Sequence, residues 1–211
     1  GCASGETKIQ VTVKDKPDAP QIVSDSPVCE GTTVHFTISN VIAGNYTWMN
    51  NNNVQFSTLD NPVIAAAIPA NSGNYRAKVE LNGCESDWGN TSILVKPTPA
   101  TPALNSNGPV CEGDDVILSA HVNPGWVYEW TNDNGDVVGN GATVLLTDAL
   151  PTQSGTYTLK VEEAGCPAVP AQISVTINAK PNAPAIVNNG PVCEGETLQF
   201  EGEIVAGATY I

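Results

Sequence analysis

The sequence predicts an all-β chain of tandem β-sandwich domains repeating every 82 residues. Three observations lead there. Six cysteines form two series, Cys29, Cys111 and Cys193 and then Cys2, Cys84 and Cys166, each stepping by 82. Apolar and polar residues alternate with the period of a strand, and no stretch holds a helical period. Proline-dense segments return at the same interval. Two independent series sharing one period establish an internal repeat, which governs the rest of the reading.

Residues 1–16 read as the last strand of a preceding repeat, since Gly1-Cys2 matches Gly83-Cys84 and Gly165-Cys166. Residues 17–98 are repeat one, 99–180 repeat two, and 181–211 the first strands of a following, incomplete repeat. Pro-Val-Cys-Glu-Gly recurs without gaps at 27–31, 109–113 and 191–195. Tyr46-Thr47-Trp48 matches Tyr128-Glu129-Trp130, and Tyr210 begins a third copy. Ser72-Gly73-Asn74-Tyr75 matches Ser154-Gly155-Thr156-Tyr157. No basic leader followed by an apolar core opens the chain, so it reads as an internal window of a longer array.

Within each repeat the strands follow from alternation. Val34, Phe36 and Ile38 alternate with Thr33, His35 and Thr37, and Val116, Leu118 and Ala120 repeat the pattern, as do Leu198 and Phe200. Tyr75, Ala77, Val79 and Leu81 alternate with Arg76, Lys78 and Glu80. Ile93 and Val95, and Ile173, Val175 and Ile177, supply closing strands. Turn signals separate them: Asn134-Gly135, Asn82-Gly83, and Pro69 or Pro151 ahead of the Ser-Gly corner. About seven short strands per repeat favour two packed sheets. The linkers Lys16-Pro17-Asp18-Ala19-Pro20, Lys96-Pro97-Thr98-Pro99 and Lys180-Pro181-Asn182-Ala183-Pro184 favour extended spacers that limit bending.

Twenty-two acidic and eight basic side chains give a formal charge of −14 over 211 residues. A polyanion binder needs clustered Lys and Arg, and Arg76 is the only arginine, so nucleic acid and anionic membrane surfaces are excluded as partners. No apolar run is long enough to insert in a membrane as a helix.

An inner-strand tryptophan (Trp48, Trp130) followed by Ser-Gly-x-Tyr at a strand corner resembles immunoglobulin-like and PKD-like sandwiches. The fuller pattern, from Pro-Val-Cys-x-Gly through Tyr-x-Trp and Ser-Gly-x-Tyr to Gly-Cys, resembles the tandem repeats of very large Bacteroidetes cell-surface adhesins. The resemblance implies Ig-like/PKD-like domains, export by the type IX system, an extracellular location and, in gliding species, a part in motility. It also assigns Trp48 and Trp130 to the core, and Tyr75 and Tyr157, with Gly73 and Gly155, to the corner. The central disulfide of antibody domains does not carry over, because Tyr75 and Cys84 are nine residues apart and Cys29 precedes its strand.

Three pairings of the cysteines stay open. Pairing within repeats, Cys29–Cys84 and Cys111–Cys166, comes first, leaving Cys2 and Cys193 for partners outside the window. A loop of about 55 residues closed this way is worth roughly 4 kcal/mol of chain entropy. In Ig topology, however, these two positions lie at opposite ends of the sandwich, while Cα atoms must approach within about 7 Å. The second pairing, Cys29–Cys166, joins neighbouring repeats. The third, Cys2–Cys29 and its equivalents, needs contact between distant ends. Any of them requires an oxidising compartment.

Candidate chemistry is sparse. There is no HExxH, GxSxG or phosphate-cradling glycine motif, and His35 and His121 do not align between repeats, so no enzymatic role and no cofactor are expected. Asn132-Asp133-Asn134-Gly135-Asp136 is a weak calcium candidate through Asp133 and Asp136. It has Thr143 where a calcium-binding loop needs a bidentate Glu, so a tight hairpin turn is preferred. Lys78 and Lys160, considered for Lys–Asn isopeptide bonds, alternate with inward residues and are read as solvent-facing. Trp88 and Trp126, single occurrences in loop contexts, are assigned to domain junctions ahead of a ligand surface.

The expected function is a structural stalk segment of a long extracellular adhesin or filament. Its partners are neighbouring repeats of the same chain, with surface glycans or other cells as further candidates. The alternatives are a spacer or carbohydrate-binding region beside a secreted enzyme, and a filament subunit that polymerises by strand complementation.

Overall fold

The computed structural model of the protein describes residues 1–2 and 4–204; Tyr210 lies outside the described residues. The chain divides into two compact units, one of residues 1–99 with 162–167, the other of 100–161 with 168–211.

In the first unit, alternation decides the layers. Val34–Ile38 buries every second residue and stands between Ile22–Ser24 and Val63–Ile64 in an antiparallel three-stranded sheet. The second sheet is centred on Gly73–Leu81, with Asn45–Met49 and then Gln55–Ser57 on one side. Gly89–Ile93 and Cys84–Glu85 pair with its other edge. Val28–Cys29 stands apart and runs parallel to Val95–Lys96.

Between the sheets Phe36, Trp48, Phe56 and Tyr75 form one aromatic cluster, with ring centroids 5.1 to 6.3 Å apart. Burying each such ring is worth about 1.5–3 kcal/mol, which outweighs the weak preference of any one strand for its conformation. Trp48 is wholly buried and its Nε1–H donates to the Leu59 carbonyl at 2.8 Å, so no indole donor is stranded in the core.

The second unit repeats the plan. Leu104–Ser106, Val116–Ala120 and Thr143–Leu146 form the smaller sheet. Val137–Gly139, Trp126–Thr131 and Gly155–Glu163 lead the larger one, with Ala171–Val175 paired to Gly155–Glu163; the hairpin end of that strand, where Glu162–Glu163 pairs with Cys166–Pro167, belongs to the first unit. Val110–Cys111 runs parallel to Ile177–Asn178. Trp130 is again fully buried and donates to the Gly141 carbonyl at 2.9 Å. Here Leu118 and Val138 stand where the first unit has Phe36 and Phe56, so one scaffold carries a lighter core.

At each corner a short 3-10 turn, Pro69–Asn71 or Pro151–Gln153, precedes the long strand. Tyr75 donates to the Asn71 carbonyl at 2.9 Å and Tyr157 to that of Gln153 at 2.8 Å. Gly73 has φ +136°, a region that side chains avoid, and an added Cβ would stand 3.0 Å from Cβ of Asn51.

The two flanks differ in how much ladder they carry. Among the described residues of the segment 1–16 no strand forms, and Ile9, Val11 and Val13 are exposed, because a strand exists only within a ladder and no described segment pairs with this one. In the third copy Ile186–Asn188 pairs with Phe200–Gly202, but Phe200 is two-thirds exposed, since no second sheet covers it among the described residues.

Candidate functional site

The candidate site is built from a two-residue hairpin. Glu163 pairs with Cys166 across Ala164 and Gly165, which have φ of +50° and +82°. Both central residues are left-handed, as a type I′ turn requires, and that twist suits a hairpin. The turn projects Cys166 to Cys29 and the two form a disulfide with Cα atoms 5.5 Å apart. Cys29 is held by its own short ladder, in register with Lys96. The Lys96 ammonium donates to the Ala164 carbonyl at 2.9 Å, and Cys29 Sγ lies 3.7 Å from the Gly165 carbonyl oxygen.

This arrangement corrects the within-repeat pairing. Cys29 bonds Cys166, so neither Cys29–Cys84 nor Cys111–Cys166 forms, and Cys2, Cys84, Cys111 and Cys193 are free thiols. The reason is topological. Cys84 opens the returning arm of the hairpin Leu81–Cys84, while Cys29 lies in the ladder with Val95–Lys96, so one strand connection separates the two positions. Cys2–Cys29 does not form either, because the Cys29 sulfur is already bonded to Cys166.

The hairpin of the first repeat has the same design. Leu81 pairs with Cys84 across Asn82 (φ +54°) and Gly83 (φ +82°), and the Lys14 ammonium donates to the Asn82 carbonyl at 2.6 Å. The partner edge is also duplicated. Val110–Cys111 keeps the register of Val28–Cys29 against its closing strand, with Asn178 in the place of Lys96.

The remaining candidates resolve as follows. Asn132-Asp133-Asn134-Gly135-Asp136 is a turn locked by its own groups: Asn132 Oδ1 accepts from the backbone N–H of Asn134 and of Asp136. The Asp133 carboxylate accepts from the Thr156 N–H at 2.9 Å. Among the described residues no cluster of three metal-ligating side chains occurs. Trp88 lies under Arg76, whose guanidinium carbon is 4.5 Å from the ring centroid, with the Lys78 ammonium at 5.2 Å. Lys78, which alternates with the buried Ala77 and Val79, also pairs with Glu85 at 2.5 Å, and its side chain is 22% exposed against 59% for Lys160. Trp126 packs on Tyr128, centroids 6.1 Å apart, at the margin of the second core.

Sequence reasoning missed two features. Asp25 accepts from the His35 backbone N–H and meets the His35 ring at 2.7 Å. Partial burial pushes the Asp25 carboxyl up, but the His35 hydrogen bonds and charge outweigh it and leave it below the usual carboxylate value. The lysine–hairpin contact was missed as well, although Lys14 and Lys96 are 82 residues apart and could have been found by that spacing.

Residues 99–179 match the family model of the Ig-like domain described as CHU_C associated. No protein with a curated description matches the chain. Among solved structures, murine CEACAM1b shares 13% identity, with 76% of this chain and 99% of that one covered and a TM-score of 0.46. The structure of a mouse coronavirus receptor-binding domain with its murine receptor shares 13% identity, covering 74% and 100%, with a TM-score of 0.47. No helix among the described residues is long and apolar enough to cross a membrane. With its paired sheets, buried inner tryptophan and tyrosine corner, the segment 99–179 has an Ig-like β-sandwich fold, and it is similar to the CHU_C-associated Ig-like domains.

Proposed function

We propose that the chain is a stalk segment of a long extracellular adhesin on a bacterial surface, serving attachment and, in gliding cells, movement over surfaces. The observation that carries this reading is the Cys29–Cys166 disulfide, which joins a residue of the first repeat to one of the second. A cross-link of that kind does nothing for the chemistry of a small-molecule site. It is of use to a chain whose repeats must stay connected outside the cell, where disulfides persist. The CHU_C-associated domain supports the same surroundings.

In this role the segment is not an enzyme and takes no cofactor. Its first partners are other repeats of its own chain, and the adhesive contact with glycans or other cells is made by the larger protein. The acidic surface keeps neighbouring fibres apart. The test is labelling of intact producing cells with an antibody raised against residues 99–179. Surface labelling, together with poorer attachment by a strain lacking the gene, is the expected result. Label found only after lysis overturns the reading.

A further inference from the structure

We propose that Cys84 and Cys111, the free thiols of the two complete repeats, are half-sites of further junctions of the Cys29–Cys166 kind: the Cys111 edge accepts the x-Gly-Cys hairpin of another repeat, and the Cys84 hairpin enters the cysteine edge of another. The inference rests on the stalk reading for its biological sense and names the partner such a stalk would use.

Bonded and free positions share one local backbone structure. Cys29 and Cys111 each sit second in a two-residue strand, parallel to a closing strand and in the same register. Each is followed by Glu and by a left-handed glycine, Gly31 at +83° and Gly113 at +80°. Cys166 and Cys84 each open the returning arm of a hairpin whose two turn residues have positive φ. The backbone that aims the bonded pair is therefore present at the free pair, with Asn178 at the Cys111 edge where Lys96 stands at the Cys29 edge.

A second observation is independent of the cysteines. The lysine that braces the bonded hairpin, Lys96 on Ala164, has a counterpart already in place at the free one, Lys14 on Asn82. Both span 68 residues, so the contact itself recurs at the repeat period. Cys84 thus sits in a hairpin already braced as at a junction, with its sulfur unbonded. Moving the Cys29–Cys166 bond by one period asks Cys111 for a partner 137 residues further on, outside the 211-residue sequence. The partner is therefore the hairpin of a later repeat of the same polypeptide or the Cys84 hairpin of a second copy.

The bond forms by exchange. A Cys111 or Cys84 thiolate attacks a small disulfide such as glutathione disulfide and releases one glutathione. The partner thiolate then displaces the second, so two protein thiols are oxidised as one disulfide is reduced to two thiols.

The test oxidises the 211-residue chain with glutathione disulfide and maps its cross-links by non-reducing peptide mass spectrometry. Intermolecular Cys84–Cys111 links in about tenfold excess over every other pairing of the four free thiols are expected, and Cys84→Ser or Cys111→Ser removes them. Circular dichroism of both variants should match the parent, and a variant that loses the fold is replaced by alkylation of the folded chain. A statistical mixture of links, or links led by Cys2 or Cys193, overturns the proposal. The same map on unreduced native protein separates the sources: Cys111 linked to a hairpin peptide of a later repeat means the same chain, and Cys111 linked to Cys84 means a second copy. Native Cys111 recovered as a free thiol also overturns it. Cell-surface labelling is unaffected by these outcomes, so a failed junction leaves the stalk reading standing, and a failed stalk reading shows in the labelling alone.

Discussion

Tyr75 donates its hydroxyl hydrogen to the carbonyl of Asn71, four residues earlier, and so fastens the end of a 3-10 turn to the strand that follows it. Tyr157 and Gln153 repeat the bond in the second unit. The ring is buried in the core while the hydroxyl satisfies a backbone acceptor, so one side chain closes both the packing and the hydrogen-bond account of the corner.

Replacing Tyr75 or Tyr157 by Phe keeps the ring and removes the bond. Each change is expected to cost about 1 kcal/mol, read as a lower urea midpoint with an unchanged slope.

The same residues set an alkaline limit. Burial raises the Tyr75 phenol above its ordinary 10.0, and burial with the nearby Asp133 carboxylate raises Tyr157. A raised folded value means stabilisation that is complete below the unfolded value and lost as pH climbs through the folded one. Stability should therefore fall above about pH 10. The double Phe variant should fall less steeply, as thermal melts across that range would show.

Ala164 occupies a left-handed position that its counterpart Asn82 tolerates better. Ala164→Asn keeps the carbonyl that Lys96 uses and should stabilise the hairpin by about 0.5–1 kcal/mol. The gain should appear as slower amide exchange at residues 162–167. Unchanged exchange would count against a strained turn.

Gly73→Ala places a methyl group against Asn51, whose side-chain amide donates to the carbonyls of Ala70 and Ser72. The strained φ and the displaced amide together should cost about 1–3 kcal/mol. Chemical denaturation followed by tryptophan fluorescence checks the value.

Much of this fold could be read directly from residues. The 82-residue spacing framed the repeats, and the alternation at Val34–Ile38 and Gly73–Leu81 located both sheets, because a half-buried strand must alternate. The Ser-Gly-x-Tyr motif marked the corner. The sulfur pairing could not be read that way. Cysteine spacing reports position along the chain, whereas a disulfide needs a through-space approach, and Cys29 and Cys166 are 137 residues apart. The surroundings of Trp88 were not legible because its context looks like a loop, while its ring is captured by two cations on an adjacent strand, Arg76 and Lys78. Residues 1–16 alternate as a strand should, yet alternation shows which face would be buried and supplies no neighbour to pair with.

The Cys29–Cys166 bond also alters the covalent connectivity of the polypeptide. Residues 30–165 become the slack side of a closed ring, and a tug on the two termini passes from Cys29 to Cys166 through sulfur. Almost all of the first repeat's core, from Val34 to Val95, and the second repeat's Trp130 lie on that slack side. Such a chain can lose its packing under load without paying out its length. Single-molecule extension should therefore lengthen by roughly 450 Å more in reductant than without it, the reach of the ring's residues when fully drawn out.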